Sequence, residues 1–134
     1  MISYLDHARI SIIIPVLNEV NNITAAITST QPTHNVEVIV VDGGSNGDTP
    51  VLAQSLGVTV ISSPPGRAVQ MNIGAAIASG EIFLFLHADT RLPAGFDAVI
   101  RTVLKPSGIV AGAFTLRIDS LHWGLRLVEW GVKW

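Results

Sequence analysis

The chain has 134 residues, of which 49% are hydrophobic and only 13% charged, with a net charge of −2 and no cysteine. That is the length of one domain, able to bury roughly two-thirds of its unfolded surface, and its low charge implies that much of it is interior or interface. The absence of a basic run argues against a nucleic-acid footprint, the absence of cysteine excludes a disulfide framework or a thiolate metal site, and neither a signal-peptide pattern nor an apolar run near ~20 residues is present.

Ile10-Ser11-Ile12-Ile13-Ile14 is a β-branched run stopped by Pro15, and it reads as a first buried strand. Pro15 to Glu19 is then the first strand-to-helix loop. Asn18 is placed to cap the next helix, with Asn21 and Asn22 as alternatives; Ile23, Ala26, Ile27 and Thr30 supply its apolar stripe, and Pro32 ends it. Capping and dipole pairing explain Asn18 and Glu19 about as well as a ligand role does.

Val36 to Val41 is the second strand and runs into Asp42-Gly43-Gly44-Ser45-Asn46-Gly47-Asp48. The two early glycines allow positive φ and close approach of a ligand to the backbone. Ser45 or Asp48 caps a helix from Thr49 to Leu56, closed by Gly57. Val58 to Ile61 is a short third strand nearer the sheet edge. After the loop Ser62 to Gly66, Arg67 opens a helix rich in small apolar residues that runs to Ser79, with Arg67 and Gln70 as its polar exceptions. A cation in a first helical turn opposes the dipole, and a bound anion such as a diphosphate would account for it.

Glu81 to Thr90 contains five consecutive apolar residues, Ile82 to Leu86. Such a run cannot alternate with solvent, which predicts a central strand covered on both faces. It stops at His87 and Asp89, which face the same way if the chain stays extended. Pro93 to Leu104 reads as a surface helix and Gly108 to Ile118 as a further strand, with Gly112 as a bulge or close-approach point.

The order βαβαβαβαβ predicts a three-layer α/β/α domain with a mostly parallel, doubly wound sheet. Ligands in such sheets bind beyond the carboxyl ends of the strands. There Asn18/Glu19, Asp42/Gly43 and His87/Asp89 converge, with Arg67 beside them. Each has a structural explanation alone; together they mark a site.

These segments also carry a family resemblance. Ile12 to Glu19, Val40-Val41-Asp42-Gly43-Gly44-Ser45, Gly66-Arg67-Ala68-Val69-Gln70-Met71-Asn72 and Leu86-His87-Ala88-Asp89 closely resemble family 2 glycosyltransferases of the Rossmann-like GT-A fold. Within that family the chain looks most like small bacterial enzymes whose strand ends in His-Ala-Asp. The resemblance implies a nucleotide-diphosphosugar donor, usually a uridine one, a divalent metal (Mn²⁺ or Mg²⁺), and inversion at the anomeric carbon. It implies that Pro15, Leu17, Asn18 and Glu19 hold the base and ribose, that Asp42 and the adjoining Gly43 contact the base, and that Arg67 faces the base or diphosphate. His87, Ala88 and Asp89 would follow, with Asp89 as the metal carboxylate and His87 as a further ligand candidate. Oxygen donors and a single carboxylate suit these hard cations, which complete their shells with phosphates and water.

Two departures from the family's pattern matter. Its usual Asp-x-Asp has become His-Ala-Asp, which removes one carboxylate. An inverting transfer also needs a general base, which in the family comes from a later acceptor-binding half. The expectation is a single donor-binding domain over residues 1–134, with that half absent and only Asp119 and Glu129 as weak candidates for the base. The tail places Trp123, Leu127, Trp130 and Trp134 on one helical face, interrupted by Gly124 and Gly131. Such a face covers a core, joins two copies, or approaches a lipid-linked acceptor at a membrane surface. A cytoplasmic protein, peripheral at the inner face of the membrane, is the expected location.

The competing reading is a non-catalytic nucleotide-binding module. An NAD(P) oxidoreductase is excluded because Pro-Val-Leu-Asn-Glu stands where Gly-x-Gly-x-x-Gly would follow the first strand. A sugar nucleotidyltransferase would likewise want a glycine-rich loop and an Arg there.

Overall fold

The computed structural model describes residues 4–31, 33–105, 111–112, 115–117 and 126–128. Pro32, Asp119, Trp123, Glu129, Trp130 and Trp134, to which the sequence gives roles, lie outside the described residues. The chain divides into two compact units, His7–Asp97 and a second made of Met1–Asp6 with Ala98–Trp134.

The larger unit contains four parallel strands, β1 (Ile10–Val16), β2 (Val36–Asp42), β3 (Thr59–Ser62) and β4 (Ile82–Phe85), in the order β3-β2-β1-β4. They are joined by α1 (Ile23–Ser29), α2 (Thr49–Ser55) and α3 (Arg67–Ile77). This is the expected α/β architecture. β1 and β2 occupy the centre because their β-branched residues can be buried on both faces: Ile10, Ile12, Ile13, Ile14, Val40 and Val41 are all fully buried. On one face Ile13, Ile39 and Val41 form a cluster with Ile61, Ile73, Ala75 and Ala78 packed against it. The chain walks outward from β1 to β3 and then returns through α3 to the far side of β1. The reversal of direction between β1 and β4 is the switch point at which such sheets open a crevice.

Two expectations change here. Among the described residues β4 is an edge strand: it pairs with β1 alone, and Phe83 and Phe85 are each 44% exposed. An apolar run specifies strand tendency, but the neighbours that would cover it are set by topology. Nor does Pro15 stop β1, which continues to Val16 with Pro15 opposite Val41. The Ile13 carbonyl accepts the Leu86 N–H at 3.0 Å and so faces β4. By period 2 Pro15 faces β4 as well, and having no N–H it cannot extend that ladder. The proline therefore lets β4 diverge from β1 where the crevice opens.

At the opposite, amino-terminal edge a polar network fastens the α3–β4 connection. Glu37 Oε2 accepts hydrogen bonds from the Ser11 hydroxyl (2.5 Å), the Ser79 N–H (2.7 Å) and the Ser79 hydroxyl (2.6 Å), with Arg9 Nε at 3.7 Å. The Gly80 N–H donates to Ser11 Oγ at 2.8 Å. Burial alone would raise the Glu37 pKa. The hydrogen bonds from Ser11 and Ser79 and the Arg9 charge outweigh it and hold the carboxyl below its ordinary value of 4.5. A depressed folded-state pKa means stability that is present above the unfolded value and lost as pH falls through the folded one. Glu37→Gln is therefore expected to cost about 1–3 kcal/mol at neutral pH, with the deficit shrinking below pH 4.5. Thermal melts of both proteins across that range check this, and a deficit independent of pH would refute it.

In the second unit, α4 (Phe96–Val103) crosses the boundary, and β5 (Thr115–Arg117) pairs antiparallel with β6 (Arg126–Val128). Lys105 forms an ion pair with Asp6. Leu127 thus belongs to a strand, not to the helix read from the tryptophan spacing; Arg-Leu-Val is a short strand between Gly124 and Gly131, both poor helix formers. Gly112 lies in irregular chain before β5 and makes no bulge in it. No helix among the described residues is long and apolar enough to cross a membrane.

Candidate functional site

Beyond the carboxyl ends of β1 and β4 lies a cleft of about 430 Å³, lined by Pro15, Val16, Leu17, Glu19, Gly66, Arg67, Gln70, His87, Ala88 and Asp89. Three segments build it: the β1–α1 loop, the first turn of α3, and the turn after β4. Seven residues singled out in the sequence line it: Pro15, Leu17, Glu19, Arg67, His87, Ala88 and Asp89. Asn18, Asp42 and Gly43 do not, and Val16, Gly66 and Gln70 join it without having been assigned to a site.

The chain does not stay extended through His87 and Asp89. Thr90 N–H donates to His87 O at 3.0 Å, closing a turn. Both side chains are exposed and both still reach the cleft. Arg67, the first residue of α3, is exposed there too, so the mouth holds one fixed cation, the carboxylates of Glu19 and Asp89, and an imidazole. Glu19 is partly engaged: its Oε2 accepts from Asn22 Nδ2 at 3.1 Å, and its carbonyl accepts the Asn22 and Ile23 N–H groups that begin α1.

Asn18 and Asp42 support this loop from behind. Asp42, 6% exposed, turns its carboxylate onto its own loop and accepts from the Gly44 N–H, the Ser45 N–H and the Ser45 hydroxyl. Ser45 Oγ in turn accepts the Asn18 N–H at 2.9 Å, and Asn18 Oδ1 accepts the Asn46 N–H at 2.9 Å. Asn18 sits at φ 54°, a left-handed conformation that Asn tolerates, so it bridges two loops and caps no helix. The N-cap of α1 is Asn22 and that of α2 is Asp48. A side chain of the protein closely approaches the backbone at Gly43: a Cβ there would lie 2.8 Å from the Gln70 amide.

Among the described residues no group of three His, Cys, Asp or Glu side chains is placed to hold an ion. A cation at Asp89, with His87 beside it, would draw most of its ligands from a bound diphosphate and water. That donor set fits Mg²⁺ or Mn²⁺, which are commonly bound through one or two carboxylates plus substrate phosphates.

Residues 11–126 match the family model described as glycosyl transferase family 2. Glycosyltransferase AglE of Haloferax volcanii is 34% identical over 91 residues, covering 60% of this chain and 30% of that protein. An uncharacterized glycosyltransferase of Rickettsia conorii is 38% identical over 134 aligned residues, covering 92% of this chain and 22% of that protein. The chain thus spans less than a third of the length of either curated relative. Among solved structures, glucosyl-3-phosphoglycerate synthase from Mycobacterium tuberculosis, in complex with Mn²⁺, uridine diphosphate and phosphoglyceric acid, is similar to it. The TM-score is 0.67 at 28% identity, covering 78% of this chain and 42% of that one.

Proposed function

Because the chain belongs to glycosyl transferase family 2, we propose that the cleft binds the nucleotide diphosphate of a sugar donor, together with a divalent cation, for an inverting glycosyl transfer. The single observation that carries this reading is the meeting of Arg67, His87 and Asp89 with the Pro15–Glu19 loop in one cleft at the switch point of the sheet. Uridine is the favoured base, supported by the uridine diphosphate held with Mn²⁺ in the similar synthase.

The residues divide the work by chemistry. Pro15, Leu17 and Glu19 form the wall for base and ribose, with Leu17 45% exposed as an apolar surface for a ring. Arg67 places a permanent charge against the diphosphate, and Asp89 provides the carboxylate for the cation. When bound, the cation supplies positive charge to the diphosphate as it departs. Asn18 and Asp42 hold the first loop in shape, so their effect on the donor is indirect.

The test is a calorimetric titration of uridine diphosphate into the chain with Mn²⁺ and with chelator. Affinity is expected to rise about tenfold or more with metal, ~1.4 kcal/mol. Equal affinity in the two conditions would sink metal-dependent binding. Guanosine diphosphate in parallel decides the base.

A further inference from the structure

Gln70 is a polar side chain only 4% exposed in the first turns of a helix that is otherwise apolar toward the sheet. Its Nε2 donates to Val16 O and to Val41 O, each at 2.9 Å. Its Oε1 accepts the Gly66 N–H at 3.2 Å. The two carbonyls belong to the last rungs of the β1–β2 ladder, where the Gly43 N–H already donates to Val16 O at 3.0 Å. The amide uses a further lone pair on that oxygen, so its bonds add to the ladder without replacing any part of it.

A primary amide is the group this position requires. Its two N–H donors match two carbonyls, and its single oxygen points back at an N–H from the preceding loop. Glutamate would lose both donors, and methionine all three bonds. Gly66 is the N-cap of α3, at φ 136°, and Gln70, four residues on, closes back onto the N–H of its own helix's cap residue. Gly43 leaves room for the amide. Fixed to the ends of β1 and β2 on one side and to Gly66 on the other, Gln70 determines how far Arg67 stands from the Pro15–Glu19 loop.

We propose that Gln70 is the positioning residue of the cleft: it sets the spacing between the β1–α1 loop and the Gly66–Arg67 turn, and through that spacing the affinity for a nucleoside diphosphate. The affinity half of this statement rests on the nucleotide reading above; the spacing half does not.

The experiment therefore has two readouts on the full chain, amide exchange without ligand and titration with uridine diphosphate and Mn²⁺. In Gln70→Met and Gln70→Glu, exchange is expected to quicken about tenfold at the amides of residues 16–19 and of Gly66 and Arg67 while 10–14 and 38–41 stay protected. Affinity should fall about five- to tenfold. Ile73→Val, on the same helix but packed against the core cluster, serves as the control: it should lower thermal stability while leaving affinity and loop exchange unchanged. Should the Gln70 variants fail to fold, Gly43→Ala keeps Gln70 but displaces its amide, and should show the same pattern. Unchanged exchange in both loops overturns the proposal, as does loosened exchange with wild-type affinity, or an affinity loss that Ile73→Val shares. If the unaltered chain binds no nucleotide, the nucleotide reading fails, and the exchange result alone decides the spacing role of Gln70.

Discussion

Asp89→Ala is expected to abolish the increment in uridine diphosphate affinity that Mn²⁺ provides, leaving the weak binding measured with chelator. Asp89 is exposed at the mouth of the cleft, and its carboxylate accepts a hydrogen bond from the Thr90 hydroxyl at 3.3 Å. The substitution thus removes no core contact and should leave the melting temperature nearly unchanged. The loss, on the order of 10- to 100-fold or ~1.4–2.8 kcal/mol, would come from the cation rather than from folding. Asp42→Ala should behave differently. It frees the Gly44–Ser45 turn and, through Ser45, the Asn18 bridge, so binding should weaken whether or not metal is present. Calorimetry on both variants with and without chelator separates the two roles. Full metal dependence retained in Asp89→Ala would remove Asp89 from the metal site.

Gly74→Ala is expected to be the most damaging single methyl in α3. A Cβ at that position would lie 2.5 Å from Ile13 Cγ2 and 3.0 Å from Val41 Cγ2. Both neighbours are β-branched, fully buried and fixed in central strands, so neither can swing aside. Alanine improves helix propensity by about 1 kcal/mol, whereas overpacking a well-filled core costs typically 1–3 kcal/mol. The clash should prevail and lower the melting temperature by several degrees. A melting temperature that rises instead would show that α3 stands farther from β1 and β2 than described.

The sequence disclosed the strands well because their signal is local. Ile10–Ile14 and Val36–Val41 are runs rich in β-branched residues and too short for helices, the first followed by Pro15 and the second by Asp42-Gly43. The three loops at the carboxyl edge, and with them Glu19, Arg67, His87 and Asp89, followed from the alternation of strand and helix. Helix ends were less legible: α3 stops at Ile77, and Ala78 is already extended at ψ 138°. What could not be read depends on partners distant in the chain. Gln70 looked like a polar exception on a helix because its two carbonyls lie 54 and 29 residues away. The turn that Asp42 holds was equally hidden, because nothing in its neighbourhood shows that Ser45 turns back onto it. The Glu37 network joins residues 26 and 42 apart, and no periodicity announces such a closure.

The central place of β1 also has a kinetic consequence. β1 precedes the other strands of its sheet in the chain, yet its pairing on one side waits for β4, a join that brings together Arg9 and Glu81, 72 residues apart. Pairing with β2 closes a much shorter loop, as between Ser11 and Glu37, 26 residues apart. By the logarithmic law of loop closure the longer join costs roughly 1 kcal/mol more in entropy, and contacts of such separation slow folding. Until the α3–β4 segment has left the ribosome and docked, the β1 edge on which Arg9, Ser11 and Ile13 present their backbone groups remains without that partner. That interval is when a nascent chain of this topology is most exposed to mispairing with another copy.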